Sequence, residues 1–158
     1  PVRPKELYDG AIPSANSVSL LNLLCLAKMT GDPKWHESAQ ALIRVFAGTV
    51  KAQPTAFTFF LMGLDFALNP GQEVVITGEP QAPDTKELLA ALNLNFLPNK
   101  VTLVKSNQYA KQLANIAGYT DGLQGVQGKA TAHVCKGHSC IDPTTNVNTM
   151  LKKILGHK

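Results

Sequence analysis

The residues best equipped for chemistry lie at the two ends of the chain. Near the carboxyl end, Cys135, His138 and Cys140 follow His133 within eight positions. Thiolates and imidazoles are zinc ligands, and Cys-x4-Cys with two histidines supplies enough of them, although the usual zinc spacing is Cys-x2-Cys. His133 points to the same side as Cys135 only if the strand between them is regular. The same two cysteines could form a redox-active disulfide across a turn, or remain two inert thiols, since reactivity needs a lowered thiol pKa. Near the amino end, Asp9 could act as a carboxylate acid or base, and Ser14 and Asn16 could bind hydroxyl groups. The plainer alternative is that Asp9-Gly10 makes a turn and Asn16 caps a helix. Gly78 stands after a strand pattern and before a helix pattern, as in a phosphate-binding turn. Gly78-Glu79-Pro80-Gln81 lacks the glycine fingerprint, however, and Glu79 would repel phosphate.

Elements that could hold these residues are readable from periodicity. Residues 1 to about 16 read as a loop interrupted by Pro1, Pro4, Gly10 and Pro13. A helix is expected from about Ser17 to Thr30, capped by Asn16 and stopped at Gly31. Its apolar residues cover most of the circumference, which predicts burial on nearly all sides, with Cys25 in the core. Asp32-Pro33 starts a second helix with Trp35, Ala39, Leu42, Ile43 and Phe46 on one face. The link is short, so the two helices should be antiparallel neighbours. After Pro54 a third helix, about Thr55 to Leu68, should present Phe57, Phe60, Leu61, Leu64 and Leu68, and end at Asn69-Pro70-Gly71.

Patterning then changes. Glu73 to Thr77 reads as a buried strand, Asp84 to Asn93 as a helix with Leu88, Leu89 and Leu92 inward, and Val101 to Val104 as a second strand. This is a βαβ unit with parallel strands. Tyr109, Leu113 and Ile116 suggest another helix. Gly118, Gly122, Gly125 and Gly128 mark a loop. Thr131 to Cys135 is a third strand, Cys140-Ile141 a short return, and Asn146 caps a last helix. The expected fold class is mixed α/β: residues 1–70 as helical hairpins, then residues 71–158 as a small three- to four-stranded α/β subdomain. The helices carry more apolar face than they can cover together, which predicts missing partner helices or self-association.

Composition bounds the function. The 158 residues are 44% hydrophobic and 16% charged, with net charge +4, enough apolar material for a core. Fifteen basic residues are scattered, and Lys152, Lys153 and Lys158 are their only local cluster. Without a basic stripe and interleaved aromatics, nucleic-acid binding is not expected. No apolar run reaches the ~18 residues of a membrane span, and the start at Pro1 has no signal-peptide character. The expected setting is therefore cytoplasmic, with reduced thiols, and the start reads as an internal boundary of a longer polypeptide.

Two separated motifs carry a resemblance. Tyr8-Asp9-Gly10-Ala11-Ile12-Pro13-Ser14-Ala15-Asn16-Ser17, with Leu21-Asn22-Leu23-Leu24 and Thr30-Gly31-Asp32, is one. Lys129 to Cys135 with Cys140 and Pro143 is the other. Together they resemble the thioredoxin-domain proteins of the spermatogenesis-associated type, over essentially all 158 residues. Ala15 stands where that family usually carries Gly. The resemblance implies an upstream thioredoxin-like domain, with the three helices closing an (α/α)6 barrel like that of six-hairpin glycosidases and sugar epimerases. In such barrels the loop from Asp9 to Asn16 would line the central cavity. Sugar hydrolysis needs a second carboxylate, which would have to come from the upstream part, the expected partner of this chain. The family carries over no settled activity and no cofactor, so the sugar-like ligand rests on fold analogy alone. Two further roles stand beside it: a redox accessory in which Cys135 and Cys140 exchange electrons with the thioredoxin-like domain, and a purely structural or assembly module.

Overall fold

The computed structural model describes residues 5–69 and 71–156. Expectations placed on Pro1, Pro4, Pro70 and Lys158 lie outside those residues. The described residues form six helices and one four-stranded sheet, in two compact units: residues 5–27 with 32–69, and residues 28–31 with 71–156.

In the first unit, helix α1 (Ala15–Thr30) begins earlier than its pattern suggests. Ser14, not Asn16, is the cap: its hydroxyl accepts the Ser17 N–H at 3.1 Å, and its carbonyl accepts the Val18 N–H at 3.0 Å. A serine hydroxyl three residues ahead of an orphan N–H is well placed for this bond. Asn16 is the second residue of the helix and donates its side-chain amide to the Glu6 carbonyl. Burial of α1 is also one-sided. Ser17, Leu20 and Leu24 are buried, whereas Val18 and Leu26 reach the surface and Cys25 is half-buried.

Asp32 and Pro33 start α2 (Pro33–Ala52) as expected, with the Asp32 carboxylate accepting the Lys34 N–H at 3.0 Å. Ala39, Phe46 and Val50 form its buried face. Pro54–Ala56 is a single 3-10 turn, and α3 (Thr58–Leu68) follows it. The buried line of α3 is Phe60, Gly63 and Phe66, continued back to Phe57, and Leu68 is 77% exposed. The expected line through Leu61, Leu64 and Leu68 is therefore rotated. The cause is Gly63, which lets Leu20 approach so closely that an added Cβ would lie 2.8 Å from Leu20 Cδ2. Phe46 meets Phe60 edge to face, with centroids 6.1 Å apart.

The second unit is built on strands β1 (Glu73–Thr77), β2 (Val101–Lys105), β3 (Thr131–Lys136) and β4 (Ser139–Cys140), in the order β2-β1-β3-β4. β1 and β2 are parallel and joined through α4 (Pro83–Leu94), while β3 is antiparallel to β1. One sheet face presents Val74, Ile76, Ala132 and Val134 to Leu88 and Leu92 of α4 and to Met150 and Ile154 of α6 (Val147–Leu155). Asn146 caps α6, its side-chain oxygen accepting the Thr149 N–H at 2.9 Å. By strand alternation the other face carries Glu73, Val75 and Thr77 from β1 and Thr131, His133 and Cys135 from β3. All five β1 residues are buried, which explains the unbroken apolar run at Val74-Val75-Ile76. α5 (Ala110–Ile116) buries none of its residues, and Tyr109 and Ile116 are exposed.

Candidate functional site

The Asp9 loop is tied at both carboxylate oxygens. Oδ1 accepts the Ser14 N–H at 2.8 Å, and Oδ2 accepts the N–H groups of Phe59 and Phe60 at 2.9 and 3.0 Å. Phe57, at the cap position of α3, offers no side-chain acceptor, so Asp9 supplies one from fifty residues away. Burial pushes the Asp9 pKa up, but the bonds from Ser14, Phe60, the Ser17 hydroxyl and Phe59 outweigh it and hold the carboxyl below its usual range. A carboxylate so placed stays ionised and accepts protons poorly near neutrality. Ser14 is engaged as well, since its hydroxyl lies 2.9 Å from that of Ser17. Asp9 and Ser14 thus lie in the loop ahead of α1 and Asn16 in its first turn, with their polar side-chain atoms engaged by backbone groups and by Ser17.

In the second unit, Cys135 and Cys140 are direct cross-strand partners joined by a disulfide, with S–S 2.03 Å. Gly137 and His138, both at positive φ (58° and 64°), make the two-residue turn between β3 and β4. This is the primed turn geometry that matches strand twist. The Ile141 N–H bonds the Val134 carbonyl at 3.0 Å, so the adjacent pair Cys135–Cys140 is a non-hydrogen-bonded one, where opposing side chains come closest. Cys135 is 1% exposed, whereas Cys140 is half-buried.

The neighbouring polar groups serve the turn. Glu73, the β1 partner of Cys135, is buried and paired with Lys28 at 3.0 Å, and its second oxygen receives the His138 N–H at 3.3 Å. The His138 ring lies 3.1 Å from the Lys28 carbonyl and packs on Tyr119, with centroids 4.8 Å apart. Burial, reinforced by the Glu73 charge, pushes the Tyr119 hydroxyl pKa up to about 12. His133 shares a face with Cys135, as a regular strand requires, but its ring turns to the Thr77 hydroxyl at 3.3 Å. Burial lowers its pKa, the Gln124 backbone bond opposes this, and the Lys105 charge lowers it further. Among the described residues no three His, Cys, Asp or Glu side chains converge in a way that would hold a metal ion.

Gly78 falls on the floor of a cleft whose walls include Lys105, Ser106, Asn107 and Gln124. Neither periodicity nor spacing marks those four residues in the sequence. Lys105 ends β2, Ser106 and Asn107 follow it, and Gln124 lies in the loop after α5, so no single sequence motif joins them.

These observations define a mixed α/β chain with a helical unit and a disulfide-bearing sheet unit. The chain is homologous to spermatogenesis-associated protein 20. It is 33% identical over 146 residues to the rat protein, covering 92% of this chain and 18% of that one, in its C-terminal part. The human protein matches at 33% identity over 146 residues, with 92% and 19% covered. An uncharacterised protein of Caenorhabditis elegans matches at 25% over 150 residues, with 94% and 20% covered. The chain therefore spans about a fifth of the length of the curated relatives it matches. No family model and no solved structure matches it. Among the described residues no helix is long and apolar enough to cross a membrane.

Proposed function

We propose that the second unit is a redox accessory within a longer protein of the spermatogenesis-associated type, with Cys135 and Cys140 cycling between disulfide and dithiol. The reading is carried by one observation: the two cysteines are bonded cross-strand partners, one sealed and the other partly open. The reductant is a dithiol of the thioredoxin class, the domain that the resemblance implies upstream. Its thiolate attacks the accessible Cys140 sulfur, and the S–S electron pair leaves with Cys135, which takes up a proton. The second reductant thiol then displaces Cys140 from the mixed disulfide. The products are an oxidised reductant and two thiols on this chain. A sugar-like role for the helical unit draws no support from Asp9, whose oxygens are already engaged by backbone donors.

The test uses a thioredoxin variant lacking its second cysteine, which halts the exchange at the mixed disulfide. Incubated with the oxidised chain, it should be recovered by mass spectrometry joined to Cys140 and not to Cys135. The reading fails if air-equilibrated protein titrates three thiols, or if intact thioredoxin leaves the disulfide untouched while dithiothreitol reduces it.

A further inference from the structure

We infer that the cleft at the carboxyl ends of β1 and β2 binds an uncharged, hydroxyl-rich small molecule. The inference does not depend on the redox reading. The cleft has a volume of about 600 Å³, within the ~300–1,000 Å³ of small-molecule sites. Its position outside the carboxyl ends of two parallel strands is where open α/β sheets take ligands.

Three of the six charged residues in the walls, Lys105, Glu79 and Asp84, hold the walls together. Lys105 donates to the carbonyls of Thr120, Asp121 and Leu123 at 2.6, 2.8 and 2.9 Å, fastening the loop after α5 to the end of β2. Glu79 accepts the Asn107 N–H at 3.0 Å, joining the loops that follow β1 and β2. Asp84 accepts the Ala130 N–H at 2.7 Å and the Thr85 N–H at 2.9 Å, joining the start of α4 to the start of β3. Four chain segments are thereby braced around one space by bonds that leave these ions little to offer a ligand.

Neutral groups remain. Ser106, Asn107 and Gln124, each with an uncharged polar side chain, line the cleft. On its floor Thr85 is fully buried and its hydroxyl has no hydrogen-bond partner. Gly78 keeps the floor open, because a Cβ there would lie 2.4 Å from that hydroxyl and 3.1 Å from the Ala130 Cβ. The lining charges balance, Lys105, Lys111 and Lys129 against Glu79, Asp84 and Asp121. A strong anion or cation therefore gains little net attraction. A molecule with several hydroxyls can both donate to and accept from the neutral groups.

The test titrates the full chain with glucose, galactose, myo-inositol and glycerol, and separately with inorganic phosphate, by ligand-observed NMR. At least one polyol should bind saturably and phosphate should not. Ala110→Trp, at the half-buried first residue of α5, should fill the cleft and weaken binding at least tenfold with an unchanged circular dichroism spectrum. If that variant does not fold, Gln124→Ala on the exposed rim should weaken binding several-fold. Cys135→Ser should bind as wild type, which separates this site from the disulfide. The inference is overturned if no polyol saturates the folded chain, if phosphate alone binds, or if the folded cleft variant binds undiminished.

Discussion

The Asp9 carboxylate receives the Phe60 N–H at 3.0 Å across 51 positions of sequence, so the first described loop caps the third helix. The same side chain also receives Phe59 and Ser14. One carboxylate therefore replaces both a missing helix cap and a missing loop closure.

Removing it should cost stability. Asp9→Ala leaves three backbone donors without their acceptor and is expected to destabilise the helical unit by roughly 2–3 kcal/mol. Urea unfolding followed by circular dichroism measures this. A loss below the error of the fit would show that water replaces the carboxylate at no cost.

The pH dependence has a definite sign. The folded Asp9 pKa lies below the ordinary carboxylate value that the unfolded chain keeps. Its contribution is complete above that unfolded value and is lost as the pH falls through the lower folded one. Unfolding midpoints measured from pH 6 down to pH 2 should fall for the wild type. They should fall less steeply for Asp9→Asn, whose side chain does not titrate. Parallel curves would remove Asp9 as the cause.

The hairpin bond closes a small loop, with a sequence separation of 5. Loop-closure entropy for so short a span gives about 2 kcal/mol. Reduction should therefore lower the stability of the sheet unit without unfolding it, because the core on the opposite sheet face is intact. A thiol titration of the folded chain should rise by two on reduction, with Cys25 outside the pair.

Gly63 tests the packing of the helical unit. Helix propensity favours Gly63→Ala by about 1 kcal/mol, while overpacking of a filled core costs about 1–3 kcal/mol. Leu20 is fully buried and a Cβ at Gly63 would lie 2.8 Å from its Cδ2, so a net loss is expected in thermal melts. The double variant with Leu20→Ala should lose less than the sum of the two single changes. Strict additivity would mean that the two residues do not compete for the same space.

Much of the local structure is legible without coordinates where the signal is chemical and short-range. Asp32-Pro33 starts α2 because an acceptor and a fixed φ suit a helix start, and Asn146 caps α6 for the first of those reasons. Glu73 to Thr77 reads as a buried strand because a β-branched run suits a sheet covered on both faces. At α1 two acceptors, Ser14 and Asn16, compete at one helix start, and composition does not rank them.

The sequence by itself determined the mixed α/β class, the order of the elements and most of their ends, since these follow from periodicity and from side chains acting within a few residues of themselves. Tertiary structure decided everything that depends on distance along the chain. It rotated the buried line of α3 onto Gly63, because Leu20 needed the space of a missing side chain. It set Cys135 opposite Cys140 and beside Glu73, because strand register arises from pairing rather than from either strand alone. It turned Asp9 from a free carboxylate into a cap, because the donors that claim it lie fifty residues away.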